Sequence, residues 1–341
     1  MDIKIDLFSD TGTRPSDEMR QFMAEAEVGD EQLFEDPSVN RLTEMASNIL
    51  GKDEAIYLPS GLMANQISFA VHCNPGDEII MDESAHPIHY EGGATAVISG
   101  ASIRSVEGKR GIFNLEQFEK AVRTKDYHDP QSKLLSIEQT SNLGGGSIWP
   151  LEQIEELTDK AHELGLKTHM DGARLFNAVA AKEINAQRYA ANFDSVWFDL
   201  SKGLGAPVGS VLAGSKEFIN EARYWKQRLG GAMRQAGIIA AGGIYALENN
   251  LERLKVDNDN AKLLAEELAE IPAVDIDPTT VETNIVIFKI KGVKSAEFAE
   301  KLLEDGLRVS VLHDKLRAVT HLDVNREDIL DAVDIFKKDL R

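Results

Sequence analysis

From about residue 50 to residue 215 the chain alternates short apolar runs with amphipathic helical stretches. That is the pattern of a largely parallel sheet with helices on both faces. The runs that read as strands are Asp77–Met81, Ser102–Val106, Lys133–Ile137, Leu166–Met170, Ser195–Phe198 and Ser210–Ala213. Between them, Leu115–Arg123 follows Asn114, which can cap a helix, and Leu151–Leu164 follows Pro150, which suits a first helical turn. Further on, the charged stretch Glu248–Ile271 reads as a helix bridging to a second region. There Thr283–Lys289, Arg308–Val311 and Arg317–Thr320 read as strands, with helices near Ser295–Glu304 and Arg326–Lys338. The expected fold class is α/β, with a mostly parallel central sheet and a small C-terminal α+β domain. The large domain is expected over residues 1–250 and the small one over 251–341, with an irregular segment, 1–45, near the active site or a partner subunit. A chain of 341 residues, 43% of them hydrophobic, has enough apolar surface for two such cores.

Charge narrows the partners. With 37 basic against 57 acidic side chains the formal net charge is −20, which repels nucleic acid and anionic membranes over most of the surface. An anionic cofactor must therefore meet a locally positive pocket. The opening residues, MDIKIDLFSD, carry Asp where a secretion signal has basic residues and an apolar core, and no stretch approaches the ~20 apolar residues of a membrane helix. Cys73 is the single cysteine, so an intrachain disulfide is excluded and a thiolate metal cluster is not expected. No His, Asp or Glu set has metal-ligand spacing either. The expectation is a cytoplasmic protein with no resident metal.

Three short motifs carry chemistry. In Asp194 to Gly209 an apolar strand runs into Ser201-Lys202-Gly203 and a bend rich in Gly and Pro, which puts an ammonium at a strand end beside backbone that can approach a ligand closely. A lysine with apolar and glycyl flanks is desolvated, and desolvation lowers its pKa toward what Schiff-base chemistry needs. Upstream, Asp171-Gly172-Ala173-Arg174 ends the strand begun by Leu166; an Asp there can ion-pair with a pyridinium nitrogen, although the same four residues could form a turn with Asp capping the next helix. Pro59-Ser60-Gly61-Leu62 opens an apolar helix running to about His72, and a helix amino terminus with a Gly is a seat for phosphate. All three lie at the carboxyl ends of expected strands, where α/β sheets place ligands.

Together with Ser9-Asp10-Thr11, Glu35-Asp36-Pro37, His86, Ala206-Pro207-Val208-Gly209-Ser210, the run Gly230 to Gly237 and Val319-Thr320-His321, these motifs span the chain nearly end to end. In them the sequence resembles the low-specificity threonine aldolases, within the fold-type-I pyridoxal 5'-phosphate (PLP) enzymes of the aspartate aminotransferase superfamily. The resemblance implies that Lys202 carries PLP as a Schiff base, that Asp171 pairs with the pyridine nitrogen, and that His86 stacks on the ring. It implies that Ser60, Gly61 and the N–H of Leu62 take the phosphate, with Arg234 reaching a neighbouring subunit's phosphate. Ser9, Arg174 and Arg317 would hold the substrate carboxylate, with Arg174 also near the ring hydroxyl. The implied assembly is a homotetramer, a dimer of dimers with shared active sites. The implied reaction is cleavage of a β-hydroxy-α-amino acid of the L-threonine or L-allo-threonine type to glycine and an aldehyde, with His86, His128 or a water they hold as the base.

The sequence departs from the family where substrate is expected. Leu62 replaces a Thr of the phosphate turn, Leu33-Phe34 replaces Tyr-Gly, Gln139 and Ser141 replace an Asn and a His before Asn142, and the aromatic beside Tyr90 is missing. These changes keep two rivals open: a PLP-dependent β-eliminating lyase, and an aldolase for a bulkier β-hydroxy amino acid such as phenylserine.

Overall fold

Runs of buried aliphatic and aromatic residues set the strands of the computed structural model, which describes residues 3–124 and 126–340. Met1, Asp2, Lys125 and Arg341, which fall within the expected domain ranges, lie outside the described residues. In chain order the strands are β1 (Ile5–Asp6), β2 (Glu54–Leu58), β3 (Glu78–Asp82), β4 (Ser102–Val106), β5 (Ser132–Glu138), β6 (Lys167–Gly172), β7 (Ser195–Asp199), β8 (Ser210–Gly214), β9 (Val274–Asp275), β10 (Ile285–Ile290), β11 (Leu307–Arg308), β12 (Ser310–Leu312) and β13 (Lys315–Val319). Seven of them form the central sheet in the order β2-β8-β7-β6-β5-β3-β4. Its pairings are parallel except that β8 runs antiparallel to both neighbours. Residues of β3, β7 and β8 are buried throughout, because helices cover both faces, and this is why these strands read as continuous apolar runs.

The six strands expected in the large domain are present within a residue or two at each end. Strand β2 was not expected. Its sequence does carry a short apolar run with β-prone Ile56 and Tyr57, ending at Pro59-Ser60-Gly61, and in the fold it pairs antiparallel with β8. The bridging stretch Glu248–Ile271 is not one helix. One helix ends at Asn249 and the next spans Leu254–Ala269, and Asn250 in the turn between them donates from Nδ2 to the Leu204 carbonyl at 2.7 Å, which ties the break to the lysine loop. Segment 1–45 is more regular than expected, with helices at Asp17–Ala24 and Pro37–Leu50 capped by Ser16 and Asp36. The Asp36 carboxylate also accepts from the Gly237 N–H at 2.8 Å, so this acid is a structural tie.

A four-stranded antiparallel sheet, β12-β13-β10-β9, forms a second layer packed through Phe288, Phe298 and Phe336. The expected strand Arg308–Val311 is divided between β11 and β12, because the Arg308 carbonyl turns to accept from the Leu7 N–H at 2.8 Å. Strand β1 pairs in parallel with β11, and Ile5 and Leu7 enter the C-terminal core. The amino-terminal chain is thereby stitched to the C-terminal layer just before Ser9 and Asp10.

Asp194 locks the start of β7 to β6. Its carboxylate accepts from the Lys167 Nζ at 2.7 Å, the Thr168 N–H at 2.9 Å and the His162 ring at 2.9 Å. Partial burial opposes ionisation, but these donors win and hold the carboxyl at about 2. A folded-state value below the unfolded one contributes stability that is present above about pH 4 and lost as pH falls toward 2. After discounting for solvent screening, Asp194→Asn should cost about 1 kcal/mol at pH 7. The cost should vanish near pH 2; equal losses at both pH values in thermal melts would contradict the assignment.

Candidate active site

Strand ends at the carboxyl edge of the central sheet converge on Lys202. The chain leaves β7 at Asp199, turns through Ser201 and Lys202, and returns into β8 across a bend in which Gly205 (φ 77°) and Gly209 (φ 107°) adopt backbone conformations that side chains disfavour. A Cβ on Gly209 would also meet the ring of Tyr57 at 2.5 Å. The Lys202 side chain is 15% exposed, with Nζ 3.0 Å from an Asp199 oxygen and 5.8 Å from the centre of the Trp197 ring. Asp199 is fixed in turn by the Ser201 N–H and hydroxyl, both at 2.8 Å.

Asp171, on β6, is buried. Its carboxylate accepts from Asn65 Nδ2 at 2.8 Å and from the Ala173 N–H at 3.1 Å. Burial lifts its pKa, against the charges of His86 and Lys202 and the hydrogen bond from Asn65. His86 follows β3, and its Nδ1 lies 2.9 Å from Glu91 Oε1. Burial pulls the imidazole down, but the Glu91 hydrogen bond and the nearby carboxylates of Asp171, Glu91 and Glu138 leave it raised. Glu138 ends β5 and accepts from the His86 N–H at 3.0 Å and the Asn142 N–H at 2.9 Å; burial and the Asp171 charge push its carboxyl up.

Ser60 caps the Gly61–His72 helix through its hydroxyl oxygen, 3.3 Å from the Met63 N–H. The N–H groups of Gly61 and Leu62, as the first residues of that helix, have no acceptor within it. They stand beside Trp197, whose ring would lie 2.2 Å from a Cβ on Gly61. Gly61→Ala should therefore displace Trp197 and weaken cofactor binding, with a stability loss of about 1–3 kcal/mol. Titration of the apoprotein with PLP alongside a thermal melt checks both, and an alanine protein matching the wild type in both would contradict the close approach.

Arg174 and Arg317 lie near enough for their charges to interact. Arg174, buried at the start of the Leu175–Lys182 helix, donates from Nε and Nη2 to the two oxygens of Asp10 at 2.7 and 2.6 Å. Burial opposes ionisation of Asp10, but the Arg174 charge and its hydrogen bonds hold this carboxyl well below the usual range. Arg317, on β13, donates to Asn142 Oδ1 at 2.6 Å, to Ser310 Oγ at 3.2 Å and to the Phe8 carbonyl at 3.3 Å. Burial, and then the charge of Arg174, lower its pKa. Ser9 adjoins both partners, its hydroxyl accepting from Thr11. Asp10 is matched to only one of the two guanidiniums, which leaves Arg317 without a carboxylate partner of its own among the described residues, as a cation that is to hold a substrate carboxylate must be.

A family model described as β-eliminating lyase matches residues 6–291. The chain belongs to the β-eliminating lyase family. It is 39% identical to the low specificity L-threonine aldolase of Escherichia coli K12, over 96% of this chain and 97% of that protein. It is 40% identical to a probable low-specificity L-threonine aldolase of Arabidopsis thaliana, over 98% and 96% respectively. The structure of a Leishmania major threonine aldolase superposes with a TM-score of 0.85 at 17% identity, covering 99% of this chain and all of that one, and shows the same fold. The fold is that of the fold-type-I PLP enzymes.

As a PLP-dependent member of the β-eliminating lyase family the chain has residues that fit the cofactor. The free N–H groups at the head of the Gly61–His72 helix suit a phosphate, the Asp171 carboxylate suits a cationic ring nitrogen, and the Lys202 ammonium lies close enough to act on Asp171 electrostatically. Of the residues read from sequence, the structure gathers Lys202, Asp171, Arg174, Arg317 and Ser9 at the carboxyl edge, with His86 hydrogen-bonded into the same network and Gly61, between Ser60 and Leu62 at the helix start, beside Trp197.

His128 is not gathered. It sits in the turn before β5, 71% exposed, with Nδ1 2.7 Å from Asp126. That places it at the amino end of a seven-residue strand whose carboxyl end reaches the site, about 20 Å away. As a base acting within its own chain it is withdrawn. Arg234 is exposed and paired with Asp30 at 3.0 Å. Arg174 is committed to Asp10 along one edge, leaving only its other edge for a substrate. Of the family departures, Gln139 is taken up by hydrogen bonds with the Trp149 backbone, whereas Ser141 accepts from the Gly144 N–H and lines a small cavity with Glu138 and Asp171, and the neighbouring Asn142 faces Arg317. Asn65, Glu91, Glu138 and Asp199 were not foreseen. Asn65-Gln66 inside an otherwise apolar helix is the one local signal that could have found Asn65.

Proposed function

We propose that the chain cleaves the Cα–Cβ bond of a small β-hydroxy-α-amino acid, of the L-threonine or L-allo-threonine type, to glycine and an aldehyde. The observation that carries this reading is the pair Arg174 and Arg317, near enough for the charge of one to act on the other, with Lys202 in turn near the Asp10 that Arg174 holds. The names of the E. coli and Arabidopsis relatives support it. Arg317, held by Asn142 and Ser310, binds the substrate carboxylate together with the free edge of Arg174, while Ser9 closes the same side. Lys202 would hold the cofactor, and Asp199, 3.0 Å from its Nζ, would pair with the ammonium whenever the lysine is free. Bound PLP supplies an electron-accepting ring for the electron pair of the broken bond. Asp171 keeps the ring nitrogen protonated. Because His86 presents Nδ1 to Glu91, its Nε2 is free to take the proton of the β-hydroxyl, directly or through a water.

The assembly we propose is a cytoplasmic homotetramer, a dimer of dimers in which Arg234 serves a neighbouring phosphate. Supporting a shared face, Leu33 and Phe34 are exposed beside the Asp30–Glu31 turn that holds Arg234, and Tyr224 and Ile238 are exposed on the helices that flank it. Incubation with threonine, allo-threonine and phenylserine, with identification of products, tests the reaction. Glycine plus an aldehyde is expected. Ammonia plus a keto acid would replace it with β-elimination, and glycine from phenylserine alone would shift the substrate to the bulkier class.

A further inference from the structure

Asn65 is buried in the Gly61–His72 helix and contacts four groups, which settle the orientation of its amide. The indole nitrogen of Trp197 can only donate, and it lies 2.7 Å from Asn65 Oδ1, so that atom is the oxygen. His169 Nε2, 3.1 Å from the same oxygen, must then carry a proton. Burial keeps His169 neutral, so its Nδ1 is an acceptor and takes the hydroxyl proton of Ser195 at 2.8 Å. Ser195 is left to accept from His72 Nε2, also at 2.8 Å. Every donor in this line from His72 inward points toward Asn65, and the amide NH2 faces two buried carboxylates, Asp171 Oδ2 and Glu91 Oε1, each at 2.8 Å. Glu91 in turn receives His86 Nδ1 at 2.9 Å and Gln66 Nε2 at 2.5 Å.

We propose that Asn65 is a positioning residue: its amide, held in one orientation by Trp197 and His169, aims Asp171 at the pyridine nitrogen and joins it to the Glu91–His86 pair. Among the described residues the Asp171 carboxylate has one other hydrogen-bond donor, the Ala173 N–H, and that bond goes to its other oxygen. Without the Asn65 amide, Asp171 and Glu91 would face each other across an unfilled gap, and the acid that binds the ring would have no fixed rotamer. The tie also makes one unit of the phosphate helix, the ring acid and the ring histidine. The proposal rests on the assignment of Asp171 to the ring nitrogen.

The test titrates apoproteins with PLP, reading affinity and the position of the visible absorbance band, with a thermal melt of each apoprotein. A hydrogen bond to a carboxylate is strong enough that Asn65→Ala should bind PLP about ten- to a hundredfold more weakly, with a displaced band. Affinity within about threefold of wild type with an unchanged band would overturn the proposal. Should Asn65→Ala not fold, two His169 variants carry the test. Glutamine can donate to Asn65 Oδ1 and accept from Ser195, so His169→Gln should bind within about threefold of wild type, and His169→Leu distinctly more weakly. Equal affinities in the two, whether both weak or both normal, would overturn it. An Asp171→Ala protein that binds PLP as tightly as wild type would instead remove the assignment of Asp171, and the proposal with it.

Discussion

A Lys202→Ala protein should be colourless once unbound PLP is removed, and should lose turnover by about 10³-fold or more. The substitution removes the only amine that the β7–β8 bend brings to the carboxyl edge of the sheet among the described residues. It should leave the fold intact, because Asp199 keeps both hydrogen bonds from Ser201 and the bend is set by Gly205 and Gly209. A melting temperature close to wild type alongside lost colour would separate chemistry from folding. Unchanged colour with unchanged turnover would remove Lys202 from the mechanism.

The second large effect is on stability as well as binding. Arg174→Ala should cost about 3–5 kcal/mol, because it strands the Asp10 carboxylate, which is fully buried, without its countercharge. The Asn284 amide keeps one hydrogen bond to Asp10 at 3.1 Å, which places the loss toward the lower end of that range. Asp10 is held ionised in the folded state below its unfolded value, so its contribution is present above about pH 4 and is lost on acidification. Denaturant unfolding of the alanine protein at pH 7 should show the loss, and the double variant Arg174→Ala with Asp10→Asn should recover part of it. A single variant as stable as wild type would mean that the pair carries none of the fold.

Much of this frame was legible in the sequence because it is written locally. Continuous buried runs such as Ser195–Asp199 have the length and side chains of strands, and the capping residues Asn114 and Ser60 mark helix starts. Glycines at 205 and 209 announce a bend that other residues resist. What was not legible depends on partners far along the chain. The pairing of β2 with β8 and the bond from Asn250, in the break between two helices, to the Leu204 carbonyl both join residues distant in the chain. The site divides in the same way. Lys202, Asp171 and Arg174 sit in motifs with local logic, whereas Glu91 and Glu138 become site residues only when β3, β5 and the Asn65 helix are folded together. His128 came from the family resemblance, and a resemblance does not say that the residue reaches the site of its own chain, from which the length of β5 separates it.

The central claim is that Lys202 is the residue that carries PLP in a lyase of this family. Reduction of the holoprotein with borohydride, followed by proteolysis and mass analysis of the peptides, tests it directly. The pyridoxyl mass should be found on the peptide containing Ser201-Lys202-Gly203 and on no other, at about one per chain. Its attachment to another lysine, or its absence from a protein that still turns over substrate, would contradict the account.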